Sequence, residues 1–347
     1  MTTVRDLFFP PGTHVLTLPN WQNPRLYFPA HRLLQRWRYS SFYPAFRVMA
    51  RFYKLSLRIR VTLGFGEVRK IQSGSWPLGE FVREVRPRTN SVVVLVGTPG
   101  PAQKITAQLR DKTGEVLGYL KYAEKEAARK RLRRERQVLA GIPRGVGPAL
   151  LKYGTLGSGE ALLTTPLPGK ALPATLPPAR DPSAFLTALN VAPHVPIAAH
   201  PWVQRTRDQS GFDLDPWLEM LSGKYWPVTI QHGDFAPWNL LLSDGALRAI
   251  DWEYGTLEGF PYLDLAYYVL QISALIYRWA PLRAMEYTVE YLTRHSQLTL
   301  SGVEARALTS LAAYDAYRKF REDGHLPDIS HLQRWRKAIW EAPICDA

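Results

Sequence analysis

A chain of 347 residues, 46% apolar and 21% charged, is long enough for one large or two medium domains and can fold around a substantial core. Its single cysteine, Cys345, leaves no intrachain disulfide framework and no cysteine-based zinc site, and no stretch reaches the ~20 apolar residues that cross a bilayer. Disordered, collagen-like, disulfide-stapled and membrane-spanning classes are thereby excluded. The expected location is the cytoplasm, soluble or peripheral to the inner face of the membrane, because Met1 to Pro19 lacks a secretory pattern. The net charge of +14 is uneven: residues 1–90 carry 15 Lys or Arg against 4 Asp or Glu, whereas residues 91–347 carry 29 against 26. An anionic partner or a solvated basic face would each explain this.

Within the basic quarter, His31 to Tyr39 reads as a short helix, and apolar residues from Phe42 to Ala50 recur near helical spacing, with Pro44 suited to a first turn. From Leu55 to Thr62 the period changes to two. Leu55, Leu57, Ile59 and Val61 alternate with Ser56, Arg58, Arg60 and Thr62, which predicts a strand. Basic and aromatic residues interleave throughout, among them Arg36, Trp37, Arg38, Tyr39, Phe42, Lys54, Arg58 and Arg60. Such a mixture suits an anionic membrane surface through residues 31–60; a nucleic-acid partner is disfavoured, and packing on the neighbouring domain with solvated arginines is the plain alternative.

At Ser91 the texture changes. Val92–Val96 is a short β-branched run, Gly97-Thr98-Pro99-Gly100-Pro101 clusters turn formers, Lys104 to Asp111 alternates, and Lys112-Thr113-Gly114 turns into Glu115–Tyr122. Ala123 to Ala140 has neither Pro nor Gly and stops at Gly141, as a helix should. Further on come a strand at Ala161–Thr164, a Pro-rich stretch from Pro166 to Pro182 that suits a hinge, a helix after Asp215-Pro216, and a mostly helical remainder from Phe260.

The most informative segment is Thr229-Ile230-Gln231-His232-Gly233-Asp234-Phe235-Ala236-Pro237-Trp238-Asn239, followed by Leu240–Leu242, the turn Ser243-Asp244-Gly245, and Leu247 to Asp251. A strand leads into a polar loop and a tight hairpin, which places Asp234, Asn239 and Asp251 near one another. An Asp able to accept a hydroxyl proton, beside an Asn and a second Asp offering oxygen to a hard cation, is what magnesium-assisted phosphoryl transfer needs.

His232 to Asn239 together with Asp251-Trp252-Glu253 resembles the aminoglycoside phosphotransferase and choline kinase superfamily, of protein kinase-like fold, and within it members from polysaccharide-assembly settings. The resemblance spans residues 91–345. It implies an α+β fold with a small antiparallel-sheet lobe at 91–168 and a larger, mostly helical lobe at 169–347, leaving 1–90 as a basic N-terminal extension. It also implies ATP and magnesium as cofactors, Asp234 as catalytic base, His232 as support of its loop, and Asn239 and Asp251 as metal ligands. Lys121, at the end of the third strand, would meet the donor phosphates and be oriented by Glu135, with Glu126 as the rival partner. Backbone near Thr165 and Leu167 would meet the adenine, and Asp264 would accept from the catalytic loop's backbone. The segment Gly97 to Pro101 departs from the glycine pattern of protein kinases, and its two prolines remove amide donors.

The expected activity is therefore an ATP- and magnesium-dependent small-molecule kinase acting on a hydroxyl, with a sugar or sugar-containing intermediate preferred. Choline or ethanolamine is an alternative, since 11 Trp and 17 Tyr could cage a quaternary ammonium. An aminoglycoside is another, although residues 265–347 hold 10 Lys or Arg against 9 Asp or Glu, which offers no acidic excess for a polycation. A catalytically silent kinase-like binding protein is the third.

Overall fold

The computed structural model describes residues 3–30, 33–42, 48–72, 75–210, 213–324 and 330–342. Two compact units make up the chain, Met1–Arg136 with Pro148–Pro166 and Gln137–Gly147 with Leu167–Ala347.

The first unit is strand-rich. Its helices are α1 (Val4–Phe8), α2 (Leu33–Tyr39), α3 (Val48–Leu63), α4 (Pro77–Val82) and α5 (Glu126–Gly141), the last of which runs on into the second unit. Its strands are β1 (His14–Leu18), β2 (Leu26–Pro29), β3 (Glu67–Lys70), β4 (Ser91–Val96), β5 (Ile105–Arg110), β6 (Val116–Ala123), β7 (Leu150–Leu156) and β8 (Gly159–Thr164). They form one antiparallel sheet in the order β3-β1-β2-β4-β5-β6-β8-β7. Successive residues of a strand face opposite sides. Val92 and Val94 accordingly join Leu7, Phe8, Leu78 and Val82 in one core, whereas Val93 joins Leu16, Phe28, Tyr39, Leu57 and Val61 in another. A sheet covered on both faces explains why β4 is a run of valines rather than an alternation.

The expected strands and helix between 91 and 140 are β4, β5, β6 and α5, and Ala161–Thr164 lies within β8. Residues 43–47, part of the helical pattern from Phe42 to Ala50, lie outside the described residues, as do His31 and Arg32. The strand predicted over Leu55–Thr62 is instead the second half of α3. Its period of two conceals two pairs spaced by four: Leu57 and Val61 are buried, while Leu55 and Ile59 are 50% and 46% exposed. No glycine or proline interrupts Val48–Leu63, and the helix ends in a Schellman motif at Gly64, whose φ is +77°. There the Phe65 amide donates to Arg60 O and the Gly64 amide to Val61 O.

Helices dominate the second unit: α6 (Ser183–Thr187), α7 (Pro201–Ser210), α8 (Asp215–Met220), α9 (Leu263–Ile272), α10 (Pro281–His295), α11 (Gly302–Glu322) and α12 (His331–Trp340). Its strands are β9 (Lys170–Ala171), β10 (Asn190–Pro196), β11 (Tyr225–Gln231), β12 (Leu240–Ser243), β13 (Ala246–Ala249) and β14 (Thr256–Gly259). They form two small antiparallel sheets, β10-β11-β14 and β13-β12-β9. Helix α11 starts from a capping box in which Ser301 and Glu304 satisfy each other's amides, and α9, α10 and α12 pack on it. A strand-rich and a helix-rich unit give the α+β, protein kinase-like class that was expected. Among the described residues no helix is long and apolar enough to cross a membrane.

Candidate active site

In the second unit, β11 delivers the chain into the loop that carries His232, Gly233 and Asp234. Gly233 has a φ of +80°, and a Cβ there would lie 2.3 Å from Tyr254 O, so only glycine fits the turn. The amides of His232 and Gly233 both donate to the Asp264 carboxylate, at 2.6 and 2.9 Å, from the first turn of α9. Asp264 is thus the backbone acceptor that was expected. His232 is fully buried: its Nε2–H donates to Ile250 O at 2.8 Å and its Nδ1 accepts from the Asp234 amide at 3.3 Å. That assignment requires a neutral ring, and burial pulls the imidazole's proton affinity down in agreement with it.

Asp234 is gripped on both oxygens. Tyr267 donates its hydroxyl to Oδ1 at 2.7 Å, and Asn239 donates Nδ2 to Oδ2 at 3.0 Å and to Asp234 O at 2.9 Å. With its nitrogen committed to Asp234, Asn239 keeps its amide oxygen for another ligand. The β12–β13 hairpin then turns on Asp244 and Gly245, both at positive φ, as a two-residue type I′ connection demands. It returns the chain to Asp251, itself held at a φ of +67°. A non-glycine residue in that region is a strained arrangement of the kind that clusters at functional sites.

Trp252 is fully buried between two carboxylate-bearing neighbours, its ring centroid 4.6 Å from that of His232 and its indole N–H bonded to Ala249 O. Anchoring the tryptophan fixes Asp251 and Glu253 on either side, with their carboxylates within 4.8 Å of one another. Burial, reinforced by the negative charges of Asp251 and Glu253, pushes the Asp234 carboxyl up to about 6, against the opposing hydrogen bonds from Tyr267 and Asn239. An all-oxygen donor set, with carboxylates raising one another's charge cost, fits a hard divalent cation such as magnesium.

The first unit holds the remaining residues singled out in the sequence. Lys121, on β6 between β5 and β8, places Nζ 2.5 and 2.6 Å from the two carboxylate oxygens of Glu135 on α5, which is 1% exposed. The rival, Glu126, pairs with Arg133 instead, at 2.8 Å. Around the Gly97 to Pro101 turn, Gln103 and Lys125 donate to the carbonyls of Gly97 and Gly100. The Thr165 amide donates to Ala149 O and its hydroxyl accepts from the Ala149 amide, so Thr165 is committed to its own unit; half-buried Leu167 opens the second one.

Sequence reasoning missed Tyr267 and gave Glu253 no role. A signal existed for the first: Tyr267 follows Asp264 by three residues, so both lie on one face of α9 and meet the same loop.

Residues 160–295 match the phosphotransferase enzyme family. That match lies within the stretch whose residues resemble the aminoglycoside phosphotransferase and choline kinase superfamily, and supports the resemblance there. No curated protein matches the sequence. Among solved structures, the chain is similar to the bifunctional kinase-methyltransferase WbdD, at 16% identity over 60% of this chain and 42% of that one, with a TM-score of 0.32. It is also similar to an ethanolamine kinase from Plasmodium vivax, at 11% identity over 84% of this chain and 88% of that one, with a TM-score of 0.44.

Proposed function

We propose that the protein is an ATP- and magnesium-dependent phosphotransferase whose acceptor is a hydroxyl of a small molecule, a sugar or sugar-containing intermediate. One observation carries this reading: a carboxylate with both oxygens positioned by donors, Asp234, beside two converging carboxylates, half-buried Asp251 and buried Glu253. In the proposed reaction the acceptor oxygen forms a bond to the γ-phosphorus and the bond to the β,γ-bridging oxygen breaks. ADP leaves with that electron pair, and the hydroxyl proton passes to Asp234. Near pH 7 a carboxyl titrating at about 6 is ionised yet basic enough to accept a proton. Asn239, Asp251 and Glu253 would hold magnesium, which supplies charge neutralisation at the transferring phosphoryl group. Lys121, oriented by Glu135, would steady the donor phosphates. His232 and Asp264 shape the loop.

The test is nucleotide turnover against an acceptor library with the full chain, run with and without magnesium. Release of ADP that depends on both magnesium and a hydroxyl acceptor supports the reading. Magnesium-independent nucleotide binding with no turnover would favour the silent kinase-like alternative.

For the basic quarter we propose an anionic membrane surface as partner, with the same cations but different apolar residues from those the sequence pattern emphasised. Tyr39 is buried with its hydroxyl on Ser91 at 3.0 Å, and Phe42 stacks on Tyr119, so neither is available to lipid or to a nucleic-acid base. Among the described side chains of α3, a row of exposed aliphatics runs through Leu55, Ile59 and Leu63, spaced by four, with Phe65 beyond the cap. Lys54, Arg58 and Arg60 flank that row. An apolar stripe edged with cations matches a headgroup boundary. Salt-sensitive co-sedimentation with phosphatidylserine vesicles, reduced by Leu55→Glu with Ile59→Glu, is the expected result; no sedimentation at low salt would overturn it.

A further inference from the structure

The acceptor's chemistry can be read more narrowly from a cavity of about 230 Å³ that opens beside Asp234 within the second unit. Helix α9 contributes Tyr267, α11 contributes Lys319, and α12 contributes Gln333 and Arg336, three residues apart and hence on one face. The two cations differ in how they are matched. Lys319 lies 2.6 Å from the Asp315 carboxylate and is neutralised inside the protein. Arg336 is only 8% exposed and, among the described residues, pairs with no carboxylate. Its Nη1 donates to Ala316 O at 3.3 Å, and its guanidinium carbon lies 5.8 Å from the Tyr267 ring centroid.

Taking a guanidinium out of water without a matching anion is costly, and such a charge beside a cavity marks where an anion is to be received. A second polar group agrees. Gln333, 1% exposed, has its Oε1 buried without a hydrogen-bond partner among the described residues, which offers an acceptor for a ligand hydroxyl. We infer that the acceptor carries an anionic group, a carboxylate or a phosphate, that Arg336 binds while a hydroxyl of the same molecule meets Asp234. A sugar acid or sugar phosphate has this combination; choline and the aminoglycosides, being cationic, would meet Arg336 with the wrong sign. This rests on the phosphotransfer reading above.

The experiment measures ADP release and equilibrium binding with glucose, glucuronate and glucose 6-phosphate, using the full chain and its Arg336→Gln and Arg336→Lys variants. At least one anionic sugar is expected to be preferred over glucose. Arg336→Gln should lower the ratio of its kcat/KM to that of glucose by about 10- to 100-fold, through KM, as the loss of one charge-assisted hydrogen bond does. Arg336→Lys should restore part of the ratio. Which anion responds separates carboxylate from phosphate recognition. Equal loss for glucose and both anionic sugars would mean that Arg336 merely supports Tyr267, and would overturn the inference. So would intact magnesium-dependent nucleotide binding with no preference for either anion. Absence of magnesium-dependent nucleotide binding in the unaltered chain would instead strike the phosphotransfer reading itself.

Discussion

Buried charge is handled in opposite ways at two places, the Lys121–Glu135 pair of the first unit and the Asp234 loop of the second. In the first, Lys121 and Glu135 meet directly, so each ion offsets the other's loss of water. In the second, burial and, after it, the converging carboxylates of Asp251 and Glu253 raise the proton affinity of Asp234 to about 6. A pair of opposite charges holds a geometry; a gathering of like charges stores a demand for a cation and for a proton. In the proposed reaction the first pair would orient and the second cluster would carry the chemistry.

The largest test of that contrast is to remove part of the like-charge cluster. Asp251→Ala should abolish magnesium-dependent nucleotide binding, read by calorimetry, and should also lower the pH at which Asp234 titrates, since Asp251 is one of the charges raising it. Unchanged magnesium dependence would break the comparison. Next, Asp234→Ala should reduce turnover by about 10²- to 10⁴-fold while the melting temperature and nucleotide binding persist, because it deletes a base rather than a core contact. Comparable in free energy but opposite in readout, Glu135→Ala should destabilise the chain by about 3–5 kcal/mol in denaturant titrations, the usual result of stranding one member of a buried pair. Loss of activity without loss of stability would show that the first unit's pair is not structural.

The smallest expected effect sharpens the position of Asp234. Tyr267→Phe removes a donor that favours the ionised carboxylate, so the acidic limb of the pH–rate profile should move above pH 6, with a loss of about 1.5–3 kcal/mol in transition-state stabilisation. The sign for stability is also set. A carboxyl raised from its ordinary 3.8 to about 6 contributes stability that is fully present below pH 3.8 and is lost as pH rises through 6. The unaltered chain should therefore gain on Asp234→Asn in thermal melts as pH falls from 7 to 5.

Much of the site was legible because its signals are local. His232, Asp234 and Asn239 sit within eight residues of one another, and the Asp-Gly turn dictates the hairpin that brings Asp251 back. The register of Glu135 followed from the preceding hairpin and an uninterrupted helix. What escaped depends on distant partners. Tyr267 is identified by a hydrogen bond across 33 residues, and Glu253 by convergence with Asp251 around a buried tryptophan. The period-two pattern at 55–62 was ambiguous because four is a multiple of two, and only burial of Leu57 and Val61 against the sheet decides for a helix. Strands β1 to β3 are short, and β2 pairs with β4 across more than sixty residues, which no window of sequence displays.

That pairing of β2 with β4 has a practical consequence for anyone shortening the chain. Leu26 and Tyr27 occupy the hydrogen-bonding edge of Leu95 and Val94, so a protein begun at residue 91 would present Val92 to Val96 as an open, uncharged, valine-rich border. Such borders recruit other strands. The first ninety residues thus cover that border, and a chain begun at residue 91 is expected to self-associate where the full chain does not.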